Sequence, residues 1–239
     1  MTKPIVRDVM YRGRVFEAEV IELCVRWYIT YRLSYRDLVE IMAERGIQVA
    51  HTTILRWVQR YVPEYEKRWH SLARPVGTSW RVDETYVSVR GRWHYLYRAV
   101  DKHGKTVDFL LRRDRGIAAA QAFFRKALIS VAPRVPRKVT LDGHVPSRRA
   151  LWLLRREHRC WRNVRVRTNR YLNNIIEQDH RAIKRRCVSM SGFKSFASAS
   201  ITIAGIELAH RIRKRQFVLG RSRRRRGWSL KDEWAIALG

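Results

Sequence analysis

Acidic residues are scarce in this chain: 21 Asp and Glu stand against 51 Lys and Arg among 239 residues, a formal charge of +30. Cysteine is scarcer still. Cys24, Cys160 and Cys187 form no CxxC pair, so neither a zinc module nor a disulfide framework is supported, and a reducing cytoplasm is the simplest setting. No apolar run is long enough to span a bilayer, and Met1 to Val15 mixes charge throughout, unlike a signal peptide. No basic amphipathic anchor, lipidation motif or internal repeat is present, so a membrane partner is not expected. What remains is ample core material. With 46% hydrophobic residues, the chain is not compositionally disordered, and its length suits one large domain or a small one plus a medium one.

A charge of this size repels itself unless a polyanion is near. Nucleic acid is the usual polyanion, bound with release of counterions, and Arg adds a planar fork that grips phosphate in two places. A ribosomal or histone-like protein without chemistry has the same signature.

The first 70 or so residues read as helical. Arg14 to Thr30 carries a helix-period stripe at Val20, Ile21, Cys24, Val25 and Tyr28. Ser34 is placed to cap a helix whose core face is Leu38, Ile41 and Met42, with Gly46 just past its end. A further helix from about His51 to Tyr61, burying Ile54, Leu55 and Val58, is expected to stop at Pro63. Two short helices around a Gly-containing turn match the helix-turn-helix pattern, whose second helix enters the major groove. Its exposed residues would be His51, Thr52, Thr53, Arg56, Gln59 and Arg60, whose hydroxyl, amide and guanidinium groups suit base edges and phosphates. An ordinary helical hairpin is the plainer alternative.

Beyond Arg74–Thr78 the period changes. Trp80–Val89, Trp93–Val100 and Thr106–Leu111 alternate and are separated by tight turns, an antiparallel meander. A helix over Gly116–Val131, a strand over Lys138–Leu141, a helix from Pro146 to about Glu157, a short strand over Asn163–Val166 and a helix from Asn173 or Asn174 towards Arg186 follow. That order is the ribonuclease-H-like one, an α/β mixed sheet flanked by helices. A last helix, roughly Ser195–Lys214, is a possible oligomer interface, and a basic tail, Arg221–Arg226, follows it. The expected organisation is therefore an all-α helix-turn-helix domain over 1–73, a catalytic core over 74–190, and a C-terminal helix with its tail over 191–239.

Because acids are few, their positions carry weight. Cleaving a phosphodiester needs an activated oxygen nucleophile and a stabilised leaving oxygen, and two divalent ions about 3.5–4 Å apart can serve both ends. Magnesium keeps several waters, so a few carboxylates suffice. Asp83 interrupts a strand, where Asp is disfavoured, and shares a face with Arg81 and Thr85. Asp142 ends a short apolar strand, where open α/β sheets bind ligands. Glu177 follows on a helix after 34 intervening residues, with Arg181 and Lys184 along the same helical face. Taken singly, Asp83 could pair with an Arg, Asp142-Gly143 could be a turn, and Glu177 could complete a capping box with Asn174.

Together these segments resemble a known family. Trp80-Arg81-Val82-Asp83-Glu84-Thr85-Tyr86, then Gly91 to Asp101, then Asn174 to Arg186 with its Glu177, are similar to the transposases of the insertion-sequence-six family, with its DD(34)E spacing. The resemblance covers nearly the whole chain, including Glu207 to Ile212. It implies Asp83, Asp142 and Glu177 as catalytic metal ligands for two Mg²⁺ ions, with Mn²⁺ as a substitute, and Lys184 as a DNA contact near the site. It further implies recognition of terminal inverted repeats, strand nicking and transfer to target DNA, and replicative transposition through cointegrates. Such an enzyme would act on double-stranded DNA in the bacterial cytoplasm, at the nucleoid. Two ends must be held together, so at least a homodimer is expected. One segment departs from the family: Gly143-His144-Val145-Pro146-Ser147 follows Asp142, where a Lys and a small residue are usual. A metal-independent DNA-binding regulator, a nuclease or integrase of the same fold, and a structural RNA-binding protein are the rival readings.

Overall fold

The computed structural model describes residues 9–168, 174–188, 190, 192–219 and 229–238; Asn173 and the Arg221–Arg226 tail lie outside them. The chain divides into two compact units, one of Met1–Ala73 with Ser200–Gly239, the other of Arg74–Ala199. Among the described residues no helix is long and apolar enough to cross a membrane.

The first unit is helical: α1 (Ala18–Thr30), α2 (Tyr35–Ala43), α3 (His51–Ser71), most of α7 (Phe196–Arg213) and α8 (Leu230–Leu238). Ser34 opens α2 as its cap, and the cap is reciprocal. Its hydroxyl accepts from the Asp37 amide at 3.1 Å, and the Asp37 carboxylate accepts from the Ser34 amide at 2.7 Å. Gly46, at φ +72°, turns the chain beyond α2 in a conformation that side chains resist. Contrary to the sequence expectation, α3 does not stop at Pro63 but runs through it to Ser71. A proline deletes one backbone hydrogen bond, whereas Tyr61, Val62, Tyr65 and Trp69 continue the helix-spaced stripe and are fully buried. Tyr65 and Trp69 lie edge-on to Trp234 of α8, a helix the sequence reading did not find.

Residues 202–209 of α7 are all buried, which makes α7 a central helix of this unit. Those side chains are spent inside the unit, so the possible oligomer interface on this helix would rest on its remaining residues. Gly205 is where α7 comes closest to its neighbours. A Cβ there would lie 2.8 Å from Ile29 Cγ2 and 3.0 Å from Val62 Cγ2. Replacing a mid-helix glycine ordinarily stabilises by up to about 1 kcal/mol. Here the sign reverses: Gly205→Val is expected to cost about 1–3 kcal/mol by overpacking. A lowered urea midpoint checks this against the exposed neighbour Ser200→Val, and an unchanged or raised midpoint would refute the close approach.

The second unit is built on a five-stranded mixed sheet in the order β3-β2-β1-β4-β5. β1 (Ser79–Val89), β2 (Arg92–Asp101) and β3 (Thr106–Arg112) form an antiparallel meander. Arg90 and Gly91, both at positive φ, make the two-residue hairpin whose twist suits the flanking strands. β4 (Lys138–Leu141) and β5 (Arg165–Thr168) add parallel to β1 in turn. α4 (Ile117–Val131) and α5 (Val145–Glu157) cover one face, where Trp80, Val82, Tyr97, Phe123, Phe124, Leu151, Leu154 and Trp161 form the core. α6 (Asn174–Val188) packs on β1 and β2 and buries Ile176, Asp179, His180 and Ile183. Strand alternation assigns it to the opposite face, because Asp83, which its His180 approaches, has the opposite parity to Trp80 and Val82. The result is the ribonuclease-H-like mixed sheet expected from the order of elements.

Candidate active site

Sheet register brings Asp83 and Asp142 together. The parallel pairing of β1 with β4 ends at Val82 opposite Leu141, and the next residue on each strand is an aspartate. The pair therefore sits at the carboxyl end of β4, the ligand-binding end of such sheets. Burial pushes the Asp83 carboxyl up to about 7, with the charge of Asp142 next in importance and that of Glu84 third. Two carboxylates side by side share a proton unless a cation joins them.

The other buried acids of this unit are neutralised. Asp101 accepts backbone amides from Gly77, His103 and Lys105 at 2.8–3.0 Å. Glu84 pairs with Arg115, Asp108 with Lys126, and Asp179 with Arg98. Among the described residues, Asp83 and Asp142 alone face each other with no Lys or Arg ion pair to either. Arg115, which pairs with Glu84, reaches Asp142 only through its charge, so the carboxylate pair could hold an added cation. The donor set, hard carboxylate oxygens, fits a hard divalent ion such as Mg²⁺ or Mn²⁺.

α6 supplies the wall. His180 Nδ1 lies 3.8 Å from Asp83 Oδ2, beyond hydrogen-bonding distance. Burial first, then the nearby Arg98, pushes His180 down to about 3, so it faces Asp83 as a neutral ring. Glu177 lies one turn before His180 and is exposed, as are Arg181 and Lys184. Among the described residues no three metal-ligating side chains are already clustered, so Glu177 stands outside the Asp83–Asp142 pair.

Arg98, fully buried and opposite Asp83 in the β1–β2 register, donates to Asp179 of α6 at 2.6 Å. Nothing in the residue pattern signals this pair, which fastens the helix bearing Glu177 to the sheet. Arg98→Met strands a buried carboxylate and is expected to cost about 3–5 kcal/mol, whereas adding Asp179→Leu restores most of the loss. Chemical denaturation of the single and double variants measures both. A double variant as unstable as the single would show that the partners do not act as a pair.

The segment after Asp142, where the chain departs from its family, has its own anchoring. Gly143 adopts φ +111°, and the His144 amide donates to Asp142 Oδ1 at 3.0 Å. The His144 ring lies 3.0 Å from Ser147 Oγ and 3.3 Å from Glu84 Oε1. Burial pulls the His144 pKa down, with Glu84 opposing.

In the helical unit, His51, Thr52, Arg56 and Arg60 are exposed on α3, and Thr53 is half-buried. Gln59 is half-buried and its amide donates to Thr202 Oγ1 of α7 at 3.4 Å. The side chain expected to read bases thus helps hold α3 to α7 within the unit.

Known proteins resemble this chain over most of its length. Residues 77–216 match a family described as a DDE domain. The transposase for insertion sequence-like element IS431mec of Staphylococcus aureus is 37% identical over 86% of this chain and 89% of its own length. The transposase for insertion sequence element IS257 in transposon Tn4003, from the same species, matches to the same extent. Among solved structures, the catalytic core domain of BIV integrase aligns with a TM-score of 0.41 at 14% identity, over 55% of this chain and 82% of that one. A simian T-cell lymphotropic virus intasome aligns with a TM-score of 0.39 at 12% identity, over 69% of this chain and 63% of that one.

Proposed function

The chain belongs to the insertion-sequence-six family of DDE transposases, and on that premise we propose that it binds the terminal inverted repeats of an insertion sequence and catalyses metal-dependent strand nicking and strand transfer. The observation that carries the proposal is the Asp83–Asp142 pair, which makes no ion pair with a Lys or Arg among the described residues of a chain holding 51 of them.

Asp83, Asp142 and Glu177 are the ligands for divalent ions, Mg²⁺ with Mn²⁺ as substitute. When bound, these ions supply Lewis-acid activation of the attacking oxygen and stabilisation of the leaving 3′ oxygen. The protein's own contributions are separable. β1 and β4 fix two carboxylates at one height. Arg98 and Asp179 hold α6 against the sheet. The buried ring of His180 covers Asp83 on one side, and Arg181 and Lys184 supply exposed positive charge near Glu177 for the phosphate backbone. No covalent protein–DNA intermediate is required, and no Ser or Tyr nucleophile is assigned.

Residues 1–73 serve end recognition through His51, Thr52, Thr53, Arg56 and Arg60, residues 74–190 the chemistry, and residues 191–239 support. Gln59 contributes by positioning α3. Two ends are processed together by at least a dimer, replicatively and through cointegrates, on the nucleoid of a bacterial cytoplasm.

The test is a labelled duplex carrying the terminal repeat that flanks the gene, incubated with purified protein and either Mg²⁺ or EDTA. Mg²⁺-dependent release of a 3′-OH at the repeat boundary, absent in Asp142→Ala, is the expected result. Binding without cleavage in either condition would leave a DNA-binding regulator as the better reading. Cleavage without joining to a second duplex would favour a nuclease.

A further inference from the structure

The ladder between β1 and β4 ends one residue short of the carboxylate pair, at Val82 opposite Leu141. Backbone pairing therefore sets Asp83 and Asp142 at one height. It leaves the gap between their side chains free to widen, and two like charges push it open. Beyond the pair, side chains join the two segments. Glu84 directly follows Asp83, and His144 stands two residues after Asp142. Glu84 Oε1 lies 3.3 Å from His144 Nδ1. The pair is bracketed by the ladder on one side and by this contact on the other.

Each end of the contact is itself held. Strand alternation turns Glu84 away from Asp83, to the face of Trp80 and Val82. Its buried carboxylate also accepts from Arg115, through Nε at 2.8 Å and through Nη2. Turned away and claimed by Arg115, Glu84 is an anchor rather than a further metal ligand. His144 stands at the N-terminus of α5, and its ring lies 3.0 Å from the hydroxyl of Ser147, a buried residue in the first turn of that helix. Its amide donates to Asp142 Oδ1 at 3.0 Å. One residue thus holds Asp142 with its backbone and meets Glu84 with its ring. Gly143, at φ +111°, makes the turn between them in a conformation that side chains resist. The departure that follows Asp142 in this chain has a purpose in this geometry.

We propose that Glu84, Arg115 and His144 form a clip that sets the spacing of the Asp83–Asp142 pair for a divalent ion. They are positioning residues, acting from behind the metal seat rather than in it. The inference rests on the reading of Asp83 and Asp142 as metal ligands.

The experiment titrates Mn²⁺ into the full-length protein without DNA and reads free Mn²⁺ by its paramagnetic resonance. His144→Ala is expected to weaken Mn²⁺ binding about tenfold, the scale of loss when the support of a metal ligand is removed. His144→Asn, whose amide N–H takes the place of ring Nδ1, is expected to recover most of that loss. Arg115 still neutralises Glu84 in both variants, so their melts in EDTA should stay close to wild type. A loop that served folding alone would lower the melt and leave Mn²⁺ affinity unmoved. His144→Ala that binds Mn²⁺ as tightly as wild type, or His144→Asn that binds no better than Ala, overturns the proposal. The metal reading fails separately. Mn²⁺ binding that survives in Asp83→Asn removes that reading and the clip with it, whereas binding lost in Asp83→Asn but untouched in His144→Ala removes the clip alone.

Discussion

In Asp83→Asn, nicking and strand transfer are expected to fall by about a thousandfold or more, while the metal-free protein becomes more stable at neutral and alkaline pH. The two effects have one cause. The Asp83 carboxyl in the folded, metal-free chain is pushed from 3.8 up to about 7, chiefly by burial and then by Asp142. An acid with a raised folded pKa loses stability as pH rises. The unfolded chain releases its proton from about pH 4, the folded chain only near pH 7, and above that the whole penalty is present. A difference of this size corresponds to about 4 kcal/mol at most, and an uncharged amide of the same shape removes most of it. Thermal melts in EDTA at pH 5 and pH 8 measure this directly: Asn should raise Tm at pH 8 and change it little at pH 5. Adding Mg²⁺ or Mn²⁺ offsets the same repulsion, so wild-type Tm should rise with metal, by the equivalent of about 2.7 kcal/mol at a hundred times Kd, and the variant's should not. Retained strand transfer in Asp83→Asn, or a metal-induced shift equal to wild type, would remove Asp83 from the ligand set.

The strands were legible because β1 alternates in burial much as it does in sequence, and because turn residues stand between β1, β2 and β3, although β2 and β3 bury continuous runs. Asp142 could be placed at a strand end from Val139 and Leu141 alone. The helical unit was harder to read. Pro63 is a breaker by local rules, and only the burial of Tyr65 and Trp69 against α8 shows why the helix passes through it. Gly205 reads as a weak helix residue until the approach of Ile29 and Val62 is seen. The acids show the limit most clearly. Asp101 ends β2 where a turn begins and Asp83 lies inside β1, yet neither position reveals what the carboxylate meets. One is saturated by three backbone amides and the other faces a second carboxylate, a difference that exists only after the chain has folded. Likewise Gln59 has the chemistry of a base reader and is turned to Thr202 by packing. Sequence supplied the residue types at the site; tertiary contact decides which of them are neutralised and which are left for a ligand.

Loss of Glu177 is expected to act on stability unlike loss of Asp83 while removing the same activity. It lies exposed on α6 and outside the carboxylate pair, so the folded state derives little from it. Glu177→Ala is therefore expected to change stability by no more than about 0.5 kcal/mol in EDTA, yet to lower cleavage about a thousandfold. Its alternative role, a capping-box partner for Asn174, predicts the reverse: a stability loss of about 1 kcal/mol and near-normal cleavage. Glu177→Gln separates the two further, since Gln serves in a capping box but is a poor ligand for a hard cation. Inactive Gln with an unchanged melt supports the ligand; active Gln alongside a destabilised Ala supports the cap. The metal-dependent Tm rise should also shrink in Glu177→Ala without vanishing, because Asp83 and Asp142 still hold oxygen ligands at the end of β4. A third carboxylate carried on a separate helix, fastened by Arg98 and Asp179, would join the other two only when cation and phosphate are both present.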